Sequence, residues 1–182
     1  MSVKPESSVR SSNEISFAMQ YQDQPMWCWA ATASSVADYY DTSTVHPQCF
    51  LAEWAFNNST CCENGGTNAC NRPFSTDLAL IHLGNYSISS PGAAAYAKVA
   101  DEIDAQRPVV AVIVWTTNTG HAAAVTGYLE IPPTGNPAGF PFPIQYLRVQ
   151  DSFYGTSYVL YDAFCSYYQS SGTWVYTFFT KR

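Results

Sequence analysis

Acyl-transfer sites are built from a nucleophile, an imidazole and a carboxylate, and this chain holds a thiol, an imidazole and a carboxylate in settings that suit that chemistry. Cys28 stands between Trp27 and Trp29, ahead of a run of small residues, Ala30, Ala31, Thr32, Ala33, Ser34 and Ser35. Small residues let a helix pack close to whatever lies behind it. A cysteine in the first turn of such a helix faces unpaired backbone N–H groups and a dipole that favour thiolate over thiol. Gln22 stands upstream, where its side-chain amide could reach the same spot. A free cysteine is more commonly a small buried hydrophobe, so Cys28 by itself is ambiguous.

A thiol nucleophile needs a base, and the base needs an orienting group. Of the three histidines, His46 follows a polar loop and His82 lies inside a short amphipathic helix. His121 follows a glycine and opens an apolar strand, HAAAVTGY, which would hold an imidazole rigidly at a strand end. Asp151 closes the next strand, YLRVQD, and neighbouring antiparallel strands bring such ends together. Cys28, His121 and Asp151 therefore define a candidate nucleophile, base and orienter, with the cleft between a helix and a sheet as the reaction site.

The elements that must position these groups follow from periodicity. Residues 1–14 are polar and are expected to be flexible. ISFAMQY (15–21) reads as a short strand or extended lead-in, and the first helix spans about 27–40. A second helix is predicted at 48–56, a third at 77–83, a short strand at 86–89 and, after Ser90-Pro91, a fourth helix at about 94–106. VVAVIVW (109–115) is a continuous β-branched run, hence a buried central strand. Strands follow at 121–128, 146–151, near 158–160 and at 173–180, with a Pro/Gly loop at 130–143 and a helical turn at 162–168. Helices first and antiparallel strands after make an α+β chain.

Composition narrows the partners. Charged residues are only 12% of the chain, the formal net charge is −6 and there is no Lys/Arg cluster, which argues against nucleic acid and anionic membranes. No apolar run is long enough to span a bilayer, and the N-terminus has no signal-peptide core. Of six cysteines, four lie in 49–70. Cys61 and Cys62 are adjacent, so Cys49 and Cys70 are expected to take one each, in either pairing, leaving Cys165 free. A zinc site fits less well, because no CxxC pair is present. Disulfides imply an oxidising destination.

Three segments together carry a resemblance: Gln22-x5-Cys28-Trp29-Ala30-Ala31, Gly120-His121-Ala122-Ala123-Ala124-Val125-Thr126-Gly127-Tyr128, and Val149-Gln150-Asp151. In this order the chain resembles papain-like cysteine proteases of the bacterial branch, which takes in the C39-like and AvrRpt2-like (C70) peptidases. PQCFLAEW, EIDAQRPVVAVIVW and SGTWVYTFFTK further resemble a secreted or effector-type bacterial subgroup. The resemblance implies a papain-like fold in a single catalytic domain, 15–182. Its helical half (15–106, with the Cys-rich loop 49–70) would pack the nucleophile helix on an antiparallel sheet half (107–182). It implies Cys28 as nucleophile, His121 as base and then acid, Asp151 as orienter where papain has Asn, and Gln22 with the Cys28 N–H as the oxyanion hole. A pre-aimed donor of that kind supplies about 2.7–4 kcal/mol in related hydrolases.

Trp27, Trp29 and Gly120, which flank the nucleophile and the base, are candidate substrate contacts. Ala122-Ala123-Ala124 departs from the bulky residue usual after the catalytic histidine and predicts a roomier cleft wall. The expected activity is endopeptidase cleavage of protein or peptide substrates through a thioester, by a monomer without cofactor or metal. The chain is expected to be secreted or delivered into a target cell. The same triad would serve a transglutaminase, amidase or deamidase. The rival outside enzymology is a disulfide-stabilised binding module, for which thirteen tyrosines and five tryptophans could furnish an aromatic surface.

Overall fold

The computed structural model describes residues 12–135, 139 and 141–182. The element that organises the rest is α1 (Cys28–Tyr40), in which every residue from Trp29 to Ala37 is buried. Its short side chains allow this: a helix of Ala, Ser and Thr can be surrounded on all sides without crowding. It packs on α2 (Gln48–Phe56), on α3 (Thr76–His82) and on strand β4 (Gly120–Ile131). The approach to β4 is close enough for Thr32 Oγ1 to donate to the Ala122 carbonyl at 3.2 Å. Ala123 and Ala124, on opposite faces of β4, are both fully buried. Ala122, the residue after His121, lines the cleft.

The sheet has the strand order β2-β7-β3-β4-β5-β6, all antiparallel, from β2 (Tyr86–Pro91), β3 (Val109–Trp115), β4, β5 (Ile144–Asp151), β6 (Gly155–Leu160) and β7 (Gly172–Thr180). β3 is central and matches the predicted VVAVIVW run; Val109, Val110, Ala111 and Ile113 are fully buried. Helix α4 (Tyr96–Asp104) and the short α5 (Tyr161–Ser166) complete the described elements.

Two expectations about the sheet are corrected. It is not confined to the C-terminal half, because β2 pairs with β7, and β1 (Ser12–Glu14) pairs with β4 at Gly127–Leu129, just beyond the point where β3 leaves it. Ser90 and Pro91 close β2 rather than open a helix: Gly92, at φ +75°, turns the chain and α4 starts at Tyr96. Proline is tolerated there because β2 is an edge strand. The flexible segment expected at 1–14 falls mostly on residues 1–11, outside the described residues; Ser12–Glu14 are β1. Of the loop expected at 130–143, residues 136–138 and 140 lie outside the described residues. No helix among the described residues is long and apolar enough to cross a membrane.

The lead-in 15–21 is extended but not a strand. Side-chain amides hold it in place. Gln150 donates to the Phe17 carbonyl at 2.9 Å and accepts from the Met19 N–H at 3.2 Å. Buried Gln48 donates to the Tyr21 carbonyl at 2.7 Å and accepts from the Asp23 N–H at 3.0 Å. These bonds set the path into residues 22–28.

Candidate active site

Cys28 is the first residue of α1. Trp27 precedes it without a side-chain cap, so no capping group occupies the first-turn N–H groups. His121 is the second residue of β4 and Asp151 the last of β5. Their strands pair with Ala123 opposite Asp151, and His121 and Ala123 share a face because strand side chains alternate. His121 Nε2 and Asp151 Oδ2 lie 2.8 Å apart. The other ring nitrogen, Nδ1, takes no part in that bond, and the Cys28 thiol lines the same cleft as the imidazole.

The carboxylate is more heavily held than a simple orienter requires. Asp151 Oδ1 accepts from the backbone N–H of Phe153 at 2.8 Å and of Tyr154 at 3.0 Å, and Oδ2 also accepts from the Tyr168 hydroxyl at 3.0 Å. Asp151 is itself 1% exposed. Burial works against its charge, but the His121 hydrogen bond and the imidazolium beside it prevail and hold the carboxyl below its ordinary range. Burial likewise opposes the charge on His121. The Asp151 and Cys28 hydrogen bonds outweigh it and raise the imidazole to about 9. The arrangement favours a protonated imidazole at neutral pH.

Cys28 and His121 line an open cleft of about 490 Å³ between the helical layer and the sheet. Its walls are apolar and aromatic, including Phe74, Trp115, Phe153, Tyr154 and Phe178. Gln22 lines it too, but its amide already has partners. Nε2 donates to the Gln24 carbonyl at 3.1 Å and the Pro25 carbonyl at 2.8 Å, and Oε1 accepts from Ser152 Oγ at 3.1 Å. An oxyanion would have to draw one N–H away from the loop.

The candidate substrate contacts divide. Gly120 and Trp29 line the cleft, although Trp29 is only 2% exposed and its Nε1–H is spent on the Arg72 carbonyl at 3.1 Å. Trp27 is not part of the lining. It is 1% exposed and donates to the Cys70 carbonyl at 2.8 Å. Buried indoles take such polar partners, and this one sits in the Cys-rich segment, 43 positions along the chain. That segment also caps the approach to the nucleophile: Asn71 Oδ1 accepts from the Met26 N–H at 3.0 Å. Cys49 and Cys62 are placed with sulfurs 2.11 Å apart, Cys61 and Cys70 with sulfurs 2.01 Å apart, and Cys28 and Cys165 stand free. Among the described residues no group of three His, Cys, Asp or Glu side chains converges as a metal site.

The sequence reading missed Tyr168 and the aromatic wall. One signal was present for part of it. Asp151 is followed by Ser-Phe-Tyr-Gly, and an aspartate accepting from the second and third N–H groups after it, with Gly155 at φ +79°, is a recognisable side-chain-mediated turn.

A cysteine at a helix start and a histidine hydrogen-bonded to a buried aspartate of an antiparallel sheet, with the cysteine and histidine lining one cleft, form an arrangement that fits the papain-like class of cysteine peptidases. Comparison with known proteins specifies the family. Residues 9–140, more than half of the chain, match the family described as papain-like cysteine protease AvrRpt2. The chain belongs to that family and is a cysteine protease. The search of curated proteins found no match. Among solved structures, a C39-like peptidase from Bacillus anthracis is similar, with a TM-score of 0.58 at 14% identity over 95% of this chain and 99% of that one. The peptidase domain of Streptococcus ComA, a bifunctional ABC transporter of a quorum-sensing pathway, gives 0.54 at 17% identity over 91% and 99%. At such identities the likeness to both structures shows the fold alone.

Proposed function

We propose that the chain is an endopeptidase that hydrolyses peptide bonds in protein or peptide substrates through Cys28, His121 and Asp151, as a single catalytic domain. The observation that carries this reading is that Cys28 and His121 line one open cleft while buried Asp151 holds the His121 ring at 2.8 Å from behind. The Cys28 thiolate attacks the scissile carbonyl carbon. The oxyanion is met by the Cys28 N–H and by a Gln22 N–H released from its bond to Gln24. The C–N bond then breaks as His121 gives its proton to the leaving amine. Water attacks the resulting thioester, His121 takes the water proton, and the thiolate leaves as the carboxyl product forms. Every catalytic group comes from one chain, so the enzyme acts as a monomer.

The test is to incubate a proteome with the active chain or with a Cys28→Ala variant and map new N-termini. The expected result is a set of termini that depends on Cys28. Ammonia release without new termini would instead place the triad in an amidase, deamidase or transglutaminase.

The low charge and the Cys-rich segment support a secreted or delivered bacterial protease of effector type. On this reading both close cysteine pairs are disulfides that staple a loop rich in turns and poor in apolar residues. Titration of the unreduced, unfolded chain should then find two thiols, Cys28 and Cys165; finding all six would rule out the bridges.

A further inference from the structure

We infer that Tyr168 is a positioning residue for the catalytic pair, its hydroxyl holding the Asp151 oxygen that orients His121 and limiting the negative charge that oxygen offers the imidazole. This rests on the proposed triad and extends it to a fourth side chain.

The geometry is specific. The Tyr168 hydroxyl and His121 Nε2 meet the same atom, Asp151 Oδ2, at 3.0 and 2.8 Å. Tyr168 is 1% exposed, so this bond is shielded from water. Its ring lies nearly parallel to Trp115, with centroids 6.1 Å apart and an interplanar angle of 19°, and Trp115 in turn lies against the His121 ring at 5.7 Å. The backbone is fixed equally firmly. Tyr168 and Gly172 exchange backbone bonds of 2.9 and 2.7 Å across a turn that puts Gln169 and Ser170 in the left-handed region. Gly172 is required there, since a Cβ would fall 2.6 Å from both Ile113 and the Trp115 ring. The tyrosine is therefore aimed at the carboxylate by a firmly held turn.

The titratable groups facing His121 are Cys28 from α1, Asp151 from β5 and Tyr154 from the following turn; Tyr168 reaches it through Asp151. A donor on a carboxylate oxygen spreads and neutralises part of its charge. Removing that donor leaves Oδ2 with a single side-chain partner, the imidazolium, which it then holds more strongly. The direction is therefore counter to simple damage: without the hydroxyl, His121 keeps its proton to higher pH, while the less firmly held carboxylate lets turnover fall.

Tyr168→Phe removes one oxygen and leaves the ring in place. The readouts are the pH dependence of Cys28 alkylation by iodoacetamide, which needs no substrate, and peptide turnover. In Tyr168→Phe the alkaline inflection of alkylation should move up by about half a pH unit, with a several-fold fall in kcat and little change in KM. Tyr161→Phe, which deletes a hydroxyl bonded to the Ala94 carbonyl, should leave the inflection where it is. An unmoved inflection in Tyr168→Phe overturns the inference, as does loss of a cooperative melt, which would assign the hydroxyl to stability instead. If His121→Ala leaves the parent alkylation profile unchanged, the triad itself fails, and that failure is seen separately.

Discussion

Replacing Cys28 with alanine should lower peptide turnover by about 10⁶-fold, the scale on which a hydrolase loses its nucleophile. The size follows from the absence of a substitute. The other free thiol, Cys165, is partly buried in α5, outside the cleft lining. Ser34 and Ser35 are buried along α1, below the first turn. The fold should be spared, because Cys28 is half-exposed and alanine is a good helix former at that position. Initial rates on a peptide cut by the parent chain, together with a thermal melt, would measure both effects. A variant that melts normally and keeps more than about one hundredth of the parent rate would mean that the thiol is not the nucleophile.

Asp151→Asn should cost about 10⁴-fold in kcat at neutral pH, although it changes one atom. The reason lies in the four donors on the carboxylate: two backbone N–H groups on Oδ1, and the His121 imidazole with the Tyr168 hydroxyl on Oδ2. An amide offers only one oxygen. If that oxygen keeps the two backbone bonds, its NH₂ group faces His121 Nε2 and forces the tautomer that carries its proton on Nδ1, toward the thiol. The imidazole can then no longer accept the Cys28 proton. If the amide flips, the turn at Phe153 and Tyr154 loses its acceptor instead.

The pH profile should move as well. Burial pushes the His121 imidazole down, while Asp151 and Cys28 raise it to about 9. The protonated imidazole is the form that gives its proton to the leaving amine, so the parent activity is present through neutral pH and is lost as pH rises through about 9. Without the Asp151 charge the burial effect gains ground, and the loss should begin at lower pH. The profile of kcat/KM against pH reads this directly. Parent-like rates with an unshifted alkaline limb would remove Asp151 from the mechanism. The shift is opposite in sign to that expected of Tyr168→Phe, so the two variants separate loss of the charge from loss of the bond that moderates it.

How far these groups were legible before folding depended on how local their signals are. Cys28 was visible because the small residues that let α1 be engulfed immediately follow it. His121 and Asp151 were visible because both sit where an apolar strand begins or ends beside a turn. The strand at 109–115 and the helix at 48–56 were read with their observed bounds, since a continuous β-branched run, and a short apolar run without Gly or Pro, declare their own conformation. Gln22 was legible as a residue of the site but not in its hydrogen bonds, which depend on the Gln24, Pro25 and Ser152 atoms that the fold brings near. Trp27 looked like a cleft residue because it adjoins the nucleophile; adjacency in sequence does not say which way an indole turns.

What the sequence determined by itself was the inventory of chemistry, the place of the main helices and of the strands from β3 onward, and the ends of those strands on which the base and the carboxylate stand. These follow from hydrophobic period and turn chemistry, which act over a few residues. Tertiary structure alone decided the choices among equivalent partners: which of two cysteines pairs with Cys49, which strand completes the edge of β7, which of thirteen tyrosines reaches Asp151. Each of those partners lies many residues away, and a hydrogen bond or a disulfide between distant groups carries no local mark until packing brings them within about 3 Å.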